Sequence, residues 1–354
     1  MRVATWNINS VVRRTDQLLD WLARTQPDVV ALQELKATTE NFPIQAVKEA
    51  GYRSLVVGER SWNGVALLSR HELVPVIKAL PGDASDKQAR YLEAAINGVL
   101  FACLYLPNGN PQPGPKFDYK LRWFERLKQR TAELFATGQP VVLLGDWNVV
   151  PTDADIYKPD SWRKDALLQP ESRQAFADVL AQGWTDAIKA VHSDKVPFTF
   201  WDYFRKHWER DAGLRIDHIL VSSALRVLDA GVDRDERGAE HPSDHAPVWA
   251  EIELAEKRRT TPLWRADRES CQAVLRHRTL PAAVLGVLTR AGRAVALVRP
   301  RTLKVFGAVK VQDCALGTIA VVSTAKVRDA GPAGGLNPTC HGINVWDIAD
   351  DRSG

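Results

Sequence analysis

The sequence predicts an α/β protein, a four-layer sandwich of two packed mixed sheets flanked by helices, with a C-terminal extension whose structure it leaves open. Three observations carry this expectation. Apolar runs of strand length recur through the first 254 residues with short turns between them, which favours antiparallel sheet over strict strand–helix alternation. Longer stretches place apolar residues at helical spacing on one side and charges on the other, as surface helices packed on a sheet do. Several apolar runs also stop abruptly at Asn, Asp or Glu, so that polar side chains gather at strand ends.

Taken in order, residues 2–8 read as a strand ending in Asn7-Ile8-Asn9. Residues 11–25 carry Val11, Leu18 and Leu22 at helical spacing, and Pro27 closes that helix. Asp28 to Glu34 forms the next buried strand, and strand-like runs follow at 53–57, 63–69, 73–79, 91–97 and 99–106. Residues 107–115 are a stiff proline-rich loop, and a surface helix spans about 117–136, with Leu121, Phe124, Leu127, Ala132 and Phe135 on its apolar side. The stretch Val141-Val142-Leu143-Leu144-Gly145-Asp146-Trp147-Asn148 is the central feature: a buried strand that runs out into a carboxylate and an amide two residues apart. An irregular region (151–170) leads to a helix near 172–182, and later strands are expected at 196–202, 215–222 and 247–253.

After Leu254 the character changes. Ala255 to Pro262 is charged and reads as a boundary, and residues 255–354 are rich in Ala, Val, Gly and Arg, with short strands at 294–298 and 317–322. Residues 1–254 hold 31 Lys and Arg against 35 Asp and Glu, net −4, whereas residues 255–354 hold 16 against 8, net +8. The high pI therefore belongs to the extension and says nothing about nucleic-acid binding by the body. The extension reads as a disordered or loosely packed appendage; the alternative is a basic tail that adds affinity for polyanions. Cys340 and His341 adjoin, but no further ligands at metal-site spacing accompany them.

No apolar run reaches the roughly 18–20 residues that span a bilayer, and no export signal opens the chain. Of four cysteines only Cys103 precedes residue 255, inside an apolar run, where it reads as a buried thiol. A cytoplasmic location, away from membranes, is expected.

Each polar strand end has an ordinary explanation on its own. Asn7 or Asn9 could make turn hydrogen bonds, and Glu34 could cap a helix or sit in a surface ion pair. Ser243-Asp244-His245 could be a turn, and Asp217 would need a partner inside its apolar run. Together these readings become strained, because five strand edges carry Asn, Glu, Asp/Asn, Asp and Asp/His. Oxygen ligands in that number suit a hard cation such as Mg²⁺ or Mn²⁺ better than zinc. With no nucleophilic Ser or Cys among them, they point to hydrolysis by a metal-assisted water.

The same segments resemble the exonuclease III family of apurinic/apyrimidinic endonucleases, within the endonuclease/exonuclease/phosphatase superfamily. The matching stretches are Thr5-Trp6-Asn7-Ile8-Asn9, Leu32-Gln33-Glu34-Leu35-Lys36, Tyr105-Leu106-Pro107-Asn108-Gly109, Gly145-Asp146-Trp147-Asn148, Thr199-Phe200-Trp201, Arg215-Ile216-Asp217 and Ser243-Asp244-His245-Ala246-Pro247. They cover residues 1–254, and the extension has no counterpart. The resemblance implies Glu34 as the principal Mg²⁺ ligand, with Asn7 and Asn9 beside it and Asp244 near the metal. It makes Asp146 the group that orients or deprotonates water, and Asn148 the holder of the scissile phosphate. His245, fixed by Asp217, would neutralise the phosphoryl oxygens, and Tyr105 would donate to them. Phe200, Trp201 and Leu214 would pack against a base-less sugar, although Trp201 fits core packing equally well, and Asn108 and Lys120 would contact substrate. Arg13, Arg14, Lys36, Lys87, Arg90, Lys116 and Arg122 are further candidates for a basic DNA-holding face.

The implied reaction is hydrolysis 5′ to an abasic site leaving a 3′-hydroxyl, with 3′→5′ exonuclease and 3′-phosphatase activity on duplex DNA, by a monomer. Two rivals share the fold: a phosphatase acting on an inositol phosphate or lipid headgroup, and a non-catalytic DNA-binding protein. No position of the motif set is missing, which argues against the second.

Overall fold

In chain order the strands are β1 (Arg2–Asn7), β2 (Val29–Gln33), β3 (Arg53–Val57), β4 (Val65–Ser69), β5 (Val74–Ile77), β6 (Tyr91–Ile96), β7 (Val99–Tyr105), β8 (Val141–Asp146), β9 (Thr185–Asp186), β10 (Asp217–Val221), β11 (Leu225–Val232) and β12 (Val248–Leu254). The α-helices are α1 (Thr15–Thr25), α2 (Ile44–Glu49), α3 (Pro115–Ala136), α4 (Pro170–Ala181) and α5 (Ala187–Val191). The computed structural model describes residues 1–193 and 195–255, together with four short strands between residues 283 and 323.

The strands form two six-stranded sheets, ordered β11-β12-β1-β2-β4-β3 and β5-β6-β7-β8-β10-β9. Within them only β1–β2 and β7–β8 pair in parallel, so both sheets are mixed. The apolar runs lack alternation because both faces of each sheet are covered. Val29 and Ala31 face the other sheet, meeting Leu92, Phe101, Leu144 and Ile219 in the central core. Val30 and Leu32 face outward, onto Leu18, Trp21 and Leu22 of α1. On the opposite outer face, Leu104 and Leu143 pack under Trp123, Phe124 and Leu127 of α3 and Phe176 and Val179 of α4. These layers are the expected four-layer sandwich.

Residues 196–202 depart from the strand expectation. Phe200 makes only isolated bridges, to Leu214 and His245. The amides of Thr199 and Phe200 both donate to the Leu214 carbonyl, at 2.8 and 2.9 Å, an irregular crossing that a regular ladder does not allow. Pro197, without an N–H, adds to the irregularity. Strand β11 went unread in the sequence because its edge position leaves Arg226, Leu228 and Asp229 exposed and a bulge falls between Val227 and Asp229.

The chain divides into two units at Lys257, three residues beyond the expected boundary. In the second unit, β13 (Ala283–Leu288) pairs antiparallel with β14 (Ala294–Arg299), and β15 (Val309–Gln312) with β16 (Ala320–Ser323). The strand expected at 294–298 coincides with β14, and that at 317–322 overlaps β16. The expectation of disorder, and the Cys340–His341 pair, fall outside the described residues. Among the described residues no helix is long and apolar enough to cross a membrane.

Candidate active site

Strand register alone gathers the polar ends. Asn7 lies beside Gln33 in the parallel β1–β2 pair, so Glu34 follows directly at that edge. In the other sheet Tyr105 pairs with Asp146 and Asp146 with Asp217. Gly145 permits this, since a Cβ there would lie 1.9 Å from the Leu104 carbonyl oxygen. The segment 243–245 then enters β12 at the same rim.

Side-chain bonds join the two sheets across that rim. The Asn7 amide donates to Glu34 Oε1 and to Asp146 Oδ2, both at 3.0 Å. The Tyr105 hydroxyl reaches across to Glu34 Oε1 at 2.7 Å. Lys36 Nζ lies 2.9 Å from Glu34 Oε2 and donates to Asn9 Oδ1 at 2.6 Å, while Asn9 Nδ2 donates to Asp244 Oδ1 at 2.9 Å. His245 Nδ1 bonds Asp217 Oδ2 at 2.9 Å, the same oxygen that takes the Thr199 hydroxyl at 2.6 Å, and His245 Nε2 faces Asp146 Oδ2 at 3.9 Å. Asn9, Glu34 and Asn148 hold φ of 45, 49 and 46°, left-handed conformations that non-glycine residues adopt at a cost of order 1 kcal/mol each. Three such residues converging on one rim mark where the fold invests strain.

The electrostatics separate the groups. Burial would push the Glu34 carboxyl up, but the Lys36 ammonium and the Asn7 amide outweigh it and leave the pKa lowered, so Glu34 is an anion. Burial raises the Asp146 carboxyl, and the neighbouring Asp217 charge adds to that despite the opposing pull of His245. For His245 burial works against the charged ring, yet Asp217, Asp146 and Asp244 together prevail and raise it. Tyr105, buried and facing Glu34, is held well above its usual range and remains a hydroxyl donor.

The donors fit a hard divalent cation. The Asp146 and Asp217 carboxylates lie with the His245 ring in one cluster, an atom of each within 4.8 Å of the others, and Asp217 Oδ1 is buried with no hydrogen-bond partner. Glu34, Asn7, Asn9 and Asp244 present further oxygens along the same rim.

Not every expected residue opens onto the rim. Asn108 is exposed and its amide donates to Asn148 Oδ1 at 3.0 Å. Asn148 Nδ2 is engaged by the Leu106 carbonyl at 2.9 Å and more loosely by Asp146 at 3.3 Å. Phe200 is half-buried, with its ring 4.9 Å from that of His245 in an edge contact. Leu214 and Trp201 are fully enclosed. The Trp201 indole donates to Asp211 and packs on Trp208, and its amide holds the Asp244 carbonyl at 2.8 Å. Lys120 is also enclosed, its side-chain nitrogen donating to the Asn108 and Asn148 carbonyls. Of the basic candidates, Arg14 donates to Asn9 O, Tyr203 and Pro242 O, and Arg90 stacks on Tyr105 at 4.6 Å. Thr199 and Ser243, whose hydroxyl donates to Asn7 O at 2.7 Å, were quoted only as motif neighbours; a hydroxyl next to a buried acid or at a strand entry was their sole signal.

Two mixed sheets whose shared rim carries carboxylates, asparagines and one acid-paired imidazole are the frame of a metal-dependent hydrolase. The chain belongs to the Endonuclease/Exonuclease/phosphatase family, whose profile matches residues 4–245. It is 34% identical over 268 residues to exodeoxyribonuclease III of Haemophilus influenzae, covering 71% of this chain and 100% of that protein. Among solved structures it resembles a 3′ phosphatase from Neisseria bound to a product DNA hairpin, with TM-score 0.69 and 39% identity. An AP endonuclease from Archaeoglobus fulgidus has TM-score 0.69 and 32% identity. Both comparisons cover 72% of this chain and 100% of the solved one.

Proposed function

We propose that this chain is a DNA-repair nuclease that hydrolyses the phosphodiester 5′ to an abasic site, leaving a 3′-hydroxyl, and that trims blocked or ordinary 3′ ends of duplex DNA. One observation carries the reading: the Asn7 amide ties the Glu34 and Asp146 carboxylates of opposite sheets together beside the His245–Asp217 pair. The names of the relatives support the substrate class.

Glu34, with Asn7, Asn9 and Asp244, would hold Mg²⁺, or Mn²⁺ in its place. When bound, the ion supplies Lewis-acid neutralisation of charge on the phosphoryl oxygens. Asp146, with its carboxyl pushed upward by burial, orients the attacking water and accepts its proton. His245, kept cationic by Asp217, neutralises charge that builds on the phosphate, and Thr199 fixes the Asp217 carboxylate. The Tyr105 hydroxyl, held by Glu34 in the free chain, and the Asn148 amide, held by Leu106 O and Asp146, would exchange these partners for the phosphate when substrate binds. An abasic nucleotide has no base stacking to lose, so its extrusion from the duplex costs little.

The test is a labelled duplex with a single abasic site, incubated with Mg²⁺ and with EDTA. Cleavage on the 5′ side with a 3′-hydroxyl product, abolished by EDTA, is expected. Faster release of phosphate from inositol phosphates than nicking of this duplex would overturn the assignment.

A further inference from the structure

Lys120 presents a problem that the proposed chemistry leaves open. It lies in the second turn of α3 and its side chain is fully enclosed. Enclosing an ammonium costs several kcal/mol unless a counter-charge or full hydrogen bonding offsets it. Among the described residues no carboxylate lies within ion-pair distance of it. Burial accordingly drags its pKa from 10.5 down to about 7, against the weaker opposing pull of Asp165 and Asp146. Packing alone would favour Leu or Met at such a position.

What the ammonium holds explains its presence. Nζ donates to the Asn148 carbonyl at 2.6 Å and to the Asn108 carbonyl at 3.0 Å. These residues sit on the loops that follow β8 and β7, parallel neighbours in the sheet, and their side-chain amides bond each other at 3.0 Å. Asn148 is in the left-handed conformation, which needs external bonds to persist. It has three others: its N–H on Asp146 Oδ1 at 2.9 Å and its amide on Leu106 O and Asp146 Oδ2. The Lys120 stem is also pressed against the first loop, because a Cβ on Gly109 would meet Lys120 Cδ at 2.6 Å.

We infer that Lys120 is a positioning residue: a buried amino group that pins the backbones of Asn108 and Asn148 together from beneath, so that their paired amides are held at the edge where the phosphate would sit. This rests on the nuclease reading for what the amides face, but the clamp itself is read from the geometry alone. Lys120 touches neither substrate nor metal; it acts through Asn148.

The experiment is a double-mutant cycle of Lys120→Met and Asn148→Ala, in the full chain, with single-turnover rates on the abasic duplex in saturating Mg²⁺. Lys120→Met is expected to lower the maximal rate roughly 10- to 100-fold while KM changes less than about threefold. In the Asn148→Ala background it is expected to cost less than about threefold, because the residue it positions is gone. A raised KM with the rate retained, together with a salt slope reduced by about one, would show a direct phosphate contact and overturn the inference. Costs that multiply, or no cost at all, would also overturn it. Lys120→Gln, which keeps a donor for one carbonyl, is read in the same cycle if the Met variant does not fold; if neither folds, Lys120 is a core residue and the inference fails. Should the wild-type chain leave the abasic duplex intact, the nuclease reading alone falls, and the same cycle is read on bis(p-nitrophenyl) phosphate.

Discussion

Glu34 takes bonds from Asn7, Lys36 and Tyr105, the last from the opposite sheet, so one carboxylate fastens the rim. Glu34→Ala and His245→Ala should each lower nicking by at least roughly 10²–10³-fold. Circular dichroism should show the wild-type fold in both, with a lowered unfolding midpoint in His245→Ala, where the buried Asp217 carboxylate loses its partner. Retained activity would trace the nicking to a contaminant. A second residue-scale prediction concerns His218, buried beneath the site. Its Nδ1 accepts from Arg215 Nη1 at 2.8 Å, and burial followed by the Arg215 charge depresses its pKa to about 3. The unfolded chain would protonate this ring below about 6.5 while the folded chain does not, so the unfolded state binds more protons and stability falls with falling pH. The loss from this group begins near pH 6.5 and amounts to about 2 kcal/mol by pH 5. Urea midpoints at pH 7 and pH 5 should differ less in His218→Gln than in wild type; an equal difference would assign the acid sensitivity to other groups.

At the level of strands and helices, β8 carries the tightest constraint. Gly145 has φ 157° and its missing Cβ is what lets β7 and β8 approach, with Tyr105 opposite Asp146. Gly145→Ala has to displace backbone rather than a side chain, so a loss of about 3 kcal/mol or more is expected, with activity falling further than stability. Denaturant melts paired with nicking rates would check both, and an unperturbed variant would show that the approach is not tight. The same strand shows why so much was legible from sequence. A buried strand writes itself as an uninterrupted apolar run, and its end as the first carboxylate or amide, so Asn7, Glu34 and Asp146 could be read directly. Trp201 and Lys120 could not, because helical or loop position along the chain does not reveal whether a ring or an ammonium turns toward solvent or toward a neighbouring carbonyl. Strand β11 escaped for the converse reason: an edge strand half in water has no continuous apolar signature.

On the scale of the whole chain, charge and architecture part company. The unit that holds every rim residue, Met1–Lys257, overlaps a region of net −4, while the surplus of +8 sits in the remainder. The Haemophilus relative and the Neisseria and Archaeoglobus structures are spanned over their full length by about seven-tenths of this chain, so their folds are complete without such an extension. The last backbone contact described in the first unit, Ala255 N to the Ala224 carbonyl at 2.8 Å, closes the edge at β11. A chain ended after Lys257 should therefore fold with its stability within about 0.5 kcal/mol of the full chain. It should nick an abasic duplex at the same maximal rate, because no rim residue is lost. Salt dependence is the sharper measurement. Each phosphate neutralised by the extension would add about 0.9 to the slope of log affinity against log salt. If the catalytic unit carries its own DNA-holding face, both chains give the same slope. A shallower slope after truncation would assign phosphate contacts to the extension, and an insoluble product would show that the extension completes the core.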